Sequence, residues 1–154
     1  MQAPAAVVMV RPHHFHPNPE TAADNAYQGC SGAPASALSR RADDDVTDAA
    51  APRRQAGVRV HLSDDEDPHG SMGQPATPDS VFPNNWFSTH AGGHVALYPM
   101  YAPSRRRERR SDIIELLKAQ YRVQEVVDYS GLEADNVFLE GTGAMVLDHV
   151  GRVA

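Results

Sequence analysis

Two short segments of the chain combine side chains that can do chemistry with residues that suit strand ends and tight turns. Residues 78–90 contain the adjacent amides Asn84 and Asn85, and residues 138–143 place Glu140 just before a Gly-Thr-Gly sequence. A carboxylate beside glycines lets backbone and substrate approach closely, and it can pair with a cationic nitrogen or orient a histidine. Paired amides offer hydrogen-bond donors and acceptors together. The two segments therefore indicate a polar binding site. On the residues alone, the alternative that all three side chains only shape turns stays open.

Other reactive side chains give weaker indications. His13, His14 and His16 follow no recognised zinc spacing and have no Cys or carboxylate at a suitable interval, so we expect an exposed loop and no metal. Cys30 lies in a Gly/Ser/Pro-rich stretch without a basic neighbour to lower its pKa, which argues against a nucleophile. The basic run 105–110 has no interleaved aromatic residues, and this favours a solvated loop.

Composition narrows the function further. The chain has 154 residues, a net charge of −6 and 41% hydrophobic residues, which suits one domain with a modest core. The acidic balance disfavours nucleic acid and anionic membrane surfaces as partners. No apolar run approaches the roughly 20 residues that span a bilayer. The single cysteine excludes an internal disulfide, so we expect a reducing cytoplasm and, with no motif for one, no cofactor.

Strand and helix signals divide the chain into alternating elements. In the first half we predict a buried strand at 5–10, a loop at 13–20, a short helix at 21–28, a linker at 29–34, a helix at 35–56, a strand at 58–62, an acidic run at 64–67 and a loop at 68–78. Pro52 predicts a kink or a restart of the long helix, because proline in a helix interior costs about 3 kcal/mol. Gly57 fits a helix C-cap.

The second half has clearer signals. We predict strands at 81–82, 86–90, 94–98 and 123–128, a helix at 112–120, and a final strand pair at 136–139 and 144–147 around the Gly-Thr-Gly turn. Gly92-Gly93 between two strand patterns predicts a hairpin. Asp112 and Glu115 have the spacing of a capping box. Strands mixed with crossover helices predict an α/β fold with a mixed sheet.

Five motifs together resemble one family. They are Met-Val-Arg-Pro at 9–12, Asn-Pro-Glu-Thr at 18–21, Val-Phe-Pro-Asn-Asn-Trp-Phe-Ser-Thr-His at 81–90, Leu-Tyr-Pro-Met at 97–100 and Phe-Leu-Glu-Gly-Thr-Gly at 138–143. The chain resembles the amidinotransferase and arginine-deiminase-related family of the guanidine-modifying pentein superfamily, most closely its citrulline-utilisation hydrolase branch. The matches run in order from about residue 7 onwards and break down between about 29 and 76.

The resemblance implies a pentein fold, which is a propeller of repeated ββαβ modules around a central polar site. We expect an incomplete propeller that forms a single partial domain over 1–154, with an irregular stretch at about 29–78. Family members use a Cys nucleophile, a His acid/base and a carboxylate to break a C–N bond. Glu140 falls where the family has its catalytic carboxylate, and Asn85 falls where guanidine-specific relatives carry an Asp. Because an amide leaves no unpaired charge beside a neutral ureido group, Asn84 and Asn85 favour a citrulline-like substrate.

The Cys and the His of such enzymes lie in the second half of their chains. We therefore expect this chain to be the N-terminal part of a hydrolase of ureido or guanidino amino acids, inactive by itself. One alternative is a non-catalytic remnant or interaction module that pairs with a second chain. Another is a binding protein for an arginine-like ligand. The expected partners are a small-molecule ureido or guanidino amino acid and either a second copy or a complementing chain.

Overall fold

The computed structural model of the protein describes residues 4–23, 25–26, 28–29, 32–65, 77–148, 150–151 and 153. Backbone contacts define two compact units, Met1–Phe82 and Pro83–Ala154. Each unit combines a small β-sheet with helices, which confirms the predicted α/β class. Cys30 and the stretch 66–76 lie outside the described residues, together with the parts of the linker and loop predictions that fall on them.

The first unit is built on two parallel strands joined by one long helix. β1 (Ala6–Arg11) leads into α1 (Ala35–Gln55), and β2 (Arg59–Asp64) then pairs in parallel with β1. Parallel neighbours need a crossover of this kind. Both predicted strands are confirmed. The prediction that β1 is fully buried is wrong, because Val10 is its only buried residue in a sheet that has two described strands.

The long helix ends differently from the prediction. It continues through Pro52 to Gln55 without the predicted interruption. Pro52 lies in the last turn, where the loss of one N–H donor affects only the end of the hydrogen-bond ladder. Gly57 has a φ of +83°, and the N–H of Val58 donates to the carbonyl of Arg53 at 3.0 Å. This is a Schellman motif, so the C-cap predicted at Gly57 is confirmed.

Turns connect β1 to α1. The loop predicted at 13–20 is confirmed, but the short helix predicted at 21–28 is wrong for the described residues there, which form turns. The N–H of Asn25 donates to the carbonyl of Thr21 at 3.0 Å, and the N–H of Gln28 donates to Asn25 at the same distance. Such a short segment with few large apolar side chains cannot stabilise a helix by packing.

The second unit contains a hairpin followed by a helical crossover. β3 (Phe87–His90) and β4 (His94–Leu97) are antiparallel and are joined through Gly92-Gly93, as predicted. The two glycines have φ values of +93° and +87°, which favour residues without a Cβ atom. β5 (Glu125–Asp128) pairs in parallel with β4.

Two helices lie between β4 and β5 in sequence. They are α2 (Pro103–Arg106) and α3 (Ser111–Gln120). With the single-turn α2 counted together with α3, these elements form one ββαβ arrangement, and the described residues contain it once. Its core includes the side chains of Trp86, Val95 and Ile113, all almost completely buried. This core supports the loops that follow β4 and β5.

Three predictions for the second unit are wrong. The run 105–110 is not a solvated loop, since its first residues belong to α2 and Arg105 and Glu108 are buried. Asp112 does not cap α3, which has no side-chain cap bond and begins after Arg110. The final strand pair is replaced by irregular chain around a single helical turn, α4 (Gly141–Ala144). Gly141 and Gly143 have no Cβ atom, so the backbone of this turn can pack closely against Asn84 and Asn85.

In the described part of the chain, no helix combines the length and the apolar character that crossing a membrane requires.

Candidate functional site

The two segments singled out in the sequence meet in the second unit. Residues 78–81 form a turn and not the predicted start of a strand, and a 3₁₀ turn follows at Pro83–Asn85. α4 lies directly against this 3₁₀ turn. A Cβ atom added to Gly141 would overlap the carbonyl oxygen of Asn84 and would lie 3.0 Å from the carbonyl oxygen of Asn85. The Gly-Thr-Gly sequence therefore serves close backbone approach.

A small hydrogen-bond network joins the side chains of the two segments. The Nδ2 of Asn84 donates to the Oδ1 of Asn85 at 3.0 Å and also to the Oγ1 of Thr142. The hydroxyl of Thr142 lies 3.4 Å from the same Asn85 oxygen. With its oxygen engaged in this way, Asn85 turns its Nδ2 towards Gly143, where an added Cβ atom would be 3.1 Å away.

Glu140 also lies close to Gly143. The Cβ atom added to Gly143 would be 3.6 Å from the Cβ of Glu140, so Glu140 and Asn85 are both near the same glycine. Glu140 is the last extended residue before α4, with φ −93° and ψ 90°. Its Oε1 accepts a hydrogen bond from the N–H of Tyr101 at 2.9 Å, and its side chain keeps 23% of its surface exposed. The predicted candidates Glu140, Asn84 and Asn85 are thus neighbours.

A buried arginine lies behind the Glu140 carboxylate. The Nη1 of Arg105 is 3.6 Å from Glu140 Oε2, and its Nε donates to Glu108 at 3.1 Å. Both side chains of the Arg105–Glu108 pair are almost completely buried. Burying an ion pair is costly unless the two partners are also hydrogen-bonded. The Arg105–Glu108 bond meets this need and links α2 to the residues that follow it. Neither residue can be recognised as buried from the sequence, because a run of charges usually faces solvent.

A second carboxylate close to the site was also missed. Glu133 accepts a hydrogen bond from the N–H of Met100 at 2.8 Å, and both of its oxygens bind the guanidinium of Arg109. Burial raises the pKa of Glu133, but the bonds from Arg109 and Met100 outweigh it, so the net pKa lies below the ordinary value. Only a pairing of distant sequence positions connects Glu133 to this loop, and no local signal could have identified it.

The first unit holds a separate polar cluster. The Nε2 of His13 is 3.0 Å from Asp64 Oδ1, and the N–H of His13 donates to Asp65 at 2.9 Å. Burial lowers the pKa of His13, but the bond to Asp64 and the nearby carboxylates raise it above its ordinary value on balance. His13 is therefore half-buried and paired, and the prediction of an exposed loop is wrong for this residue. Among the described residues, no group of three or more potential ligands is arranged to hold a metal.

Comparison with known proteins identifies the class of this chain and then its family. The match to a family model places the chain in the pentein superfamily, and its mixed α/β fold agrees with that class. The family model described as "N,N dimethylarginine dimethylhydrolase, eukaryotic" matches residues 11–154. The chain therefore belongs to the eukaryotic N,N dimethylarginine dimethylhydrolase family. Neither the curated proteins nor the solved structures gave a match.

Proposed function

We propose that the second unit carries the carboxylate and amide part of a site for a guanidino or ureido amino acid in a C–N bond hydrolase. The observation that carries the proposal is the contact of α4 with the 3₁₀ turn, which brings both Glu140 and Asn85 close to Gly143. A carboxylate can pair with a cationic substrate nitrogen, and an amide can bind a neutral one. The family name makes N,N-dimethylarginine the first substrate to test.

The chemistry follows from the resemblance to the pentein enzymes. A thiolate attacks the guanidinium carbon, a histidine protonates the departing amine, and water then releases the covalent intermediate. In this scheme Glu140 pairs with the substrate cation or orients the histidine. The scheme needs a thiolate and an imidazole beside Glu140, and a second chain that pairs with this one is a source for both. The ββαβ arrangement of the second unit is then one blade of a propeller.

The neighbouring amides favour a neutral group at one stage of the reaction. Replacement of the dimethylamino group of N,N-dimethylarginine by water releases dimethylamine and leaves a ureido group, as in citrulline. Asn85 has its oxygen bound to Asn84 and directs its Nδ2 towards Gly143, so it offers a donor that suits a ureido oxygen. The motifs resemble a citrulline-utilising branch, and citrulline as a substrate would also need Asn85 to donate a hydrogen bond to its ureido oxygen.

The role of Glu140 is tested by ligand binding to the 154-residue protein. We expect Glu140→Gln to weaken the affinity for N,N-dimethylarginine by about tenfold or more, because a charged hydrogen bond is worth about 1.5–3 kcal/mol. Isothermal titration calorimetry measures the affinity. The matched control is Glu115→Gln, which makes the same change on an exposed turn of α3. Equal affinities for the two variants would refute the assignment of Glu140.

The role of Asn85 is tested by substrate preference. Asn85→Asp places a carboxylate beside the substrate, so we expect the ratio of N,N-dimethylarginine affinity to citrulline affinity to rise by about tenfold. Asn136→Asp adds the same charge at an exposed position of the same unit and is the control. An unchanged ratio in Asn85→Asp would exclude Asn85 as the residue that reads the substrate charge.

A further inference from the structure

We propose that Glu133 is a positioning residue for Glu140, an inference that rests on the proposed function of Glu140. Two consecutive backbone amides connect the two carboxylates. The N–H of Met100 donates to Glu133 Oε1 at 2.8 Å, and the N–H of Tyr101 donates to Glu140 Oε1 at 2.9 Å. Because Met100 and Tyr101 are adjacent, the bond that fixes the Met100 amide also limits the backbone rotations that place the Tyr101 amide against Glu140.

Two arginines hold Glu133 itself in place. Arg109 donates from both terminal nitrogens to the two oxygens of Glu133, at 2.5 and 3.1 Å. The Nε of Arg106 lies 3.4 Å from Glu133 Oε2. A bidentate arginine–carboxylate pair restricts both partners to one plane. The side chain of Glu133 is only 12% exposed, so solvent competes weakly for these bonds. The depressed pKa of Glu133 agrees with a carboxylate that stays ionised here.

Arg106 also binds the carbonyl groups of Met100 and Tyr101. Arg106 donates to the carbonyl oxygens of Met100 and Tyr101, at 2.9 and 3.0 Å. Its guanidinium lies 5.6 Å from the ring centre of Phe138. Met100 and Tyr101 are thus bound on both their amide and their carbonyl sides. Neither peptide can rotate without breaking a bond to a charged group, which would cost about 1.5–3 kcal/mol.

The segment that carries Glu140 is fixed against the same residues. The N–H of Leu139 donates to the carbonyl of Pro99 at 3.1 Å, and the rings of Tyr101 and Phe138 meet edge to face at 5.2 Å. The backbone on both sides of the Tyr101–Glu140 bond is therefore held by several contacts. Glu133 is the anion that binds the Met100 amide and both arginines. Loss of its charge frees the two arginines and loosens the amide that Glu140 accepts from.

Amide hydrogen exchange of the 154-residue protein tests the contact directly. In Glu133→Gln we expect the Tyr101 amide to exchange about tenfold faster, although its own acceptor Glu140 is unchanged. The amide of Tyr121, which donates to the carbonyl of Leu117 at the end of α3, serves as the internal reference and keeps its rate. Glu115→Gln is the matched control. If the Tyr101 amide exchanges at the same rate in Glu133→Gln as in Glu115→Gln, the proposal is wrong.

A double-mutant cycle separates positioning from a general structural effect. We expect Glu133→Gln to weaken N,N-dimethylarginine binding about tenfold when Glu140 is present and to have little further effect in the Glu140→Gln background. Equal losses in both backgrounds would overturn the positioning role. If Glu140→Gln leaves binding unchanged while Tyr101 exchange responds to Glu133→Gln, the proposed function fails and the contact stands. Should Glu133→Gln not fold, Arg109→Lys removes the bidentate pair and is measured in the same way.

Discussion

The two carboxylates near Tyr101 have similar burial but different surroundings. Glu133 has both oxygens bound by Arg109 and one of them also by a backbone amide. Glu140 accepts one amide at 2.9 Å, while the nearest guanidinium nitrogen, on Arg105, is 3.6 Å away. A carboxylate whose oxygens are saturated by an arginine fork has little capacity for a ligand. At the scale of single residues, Glu140 therefore has more acceptor capacity left than Glu133, which supports the proposal that Glu140 is the one to meet a substrate.

Glu133 should make the stability of the second unit sensitive to acid. Its folded pKa lies below the ordinary value of 4.5, so its contribution is fully present above that value and is lost as the pH falls through the folded pKa. We expect Glu133→Gln to lose unfolding free energy at neutral pH and to approach the original protein as the pH falls through the lowered pKa of Glu133. Urea unfolding followed by the fluorescence of Trp86 gives both curves.

Glu115→Gln provides the control for this titration, since Glu115 is exposed and pairs only with Lys118 among the described contacts of α3. Surface pairs of this kind contribute about 0–1 kcal/mol, so its curve should follow that of the original protein. Parallel curves for Glu133→Gln and the original protein across the acid range would show that the Glu133 charge does not stabilise the fold.

At the scale of elements, the proposed site depends on how α4 packs against the 3₁₀ turn at Pro83–Asn85. The residue pattern at 138–143 predicted a hairpin, because glycines after an apolar run are typical of strand turns. The structure instead forms a helical turn after Glu140, and the same glycines permit its contact with Asn84 and Asn85. The sequence thus pointed to two segments that the structure brings together, and their role in a site stays a prediction. It could not predict the local backbone, because that depends on a partner segment more than fifty positions away.

Gly141→Ala should disrupt the packing of α4 against the 3₁₀ turn. The added methyl group would overlap the Asn84 carbonyl, and such overpacking costs about 1–3 kcal/mol. We expect a lower unfolding midpoint in urea and weaker N,N-dimethylarginine binding. Gly131→Ala is the matched control, because an added Cβ atom there meets nothing within 4 Å, and surface substitutions of this kind stay within about 0.5 kcal/mol. Equal stability of the two variants would mean that α4 does not need the close approach.

At the scale of the molecule, sequence periodicity predicted the central elements well and the connections poorly. The hairpin, α3 and the parallel strands β1 and β2 were confirmed, because each has a strong local pattern. The prediction of a solvated loop at 105–110 was wrong, because the burial of Arg105 depends on Glu108 and on Glu140 from a distant segment. The motif order led to the correct superfamily, while the family itself is the dimethylarginine dimethylhydrolase family.

The whole chain should bind its ligand without converting it. The proposed chemistry needs a thiolate and an imidazole beside Glu140, and the single cysteine of the sequence, Cys30, has no basic sequence neighbour to lower its pKa. We expect the 154-residue protein to bind N,N-dimethylarginine and to release no dimethylamine above the uncatalysed rate, as measured by amine detection. Cys30→Ser should bind equally well. Turnover that Cys30→Ser abolishes would instead make Cys30 the nucleophile and the chain a complete hydrolase.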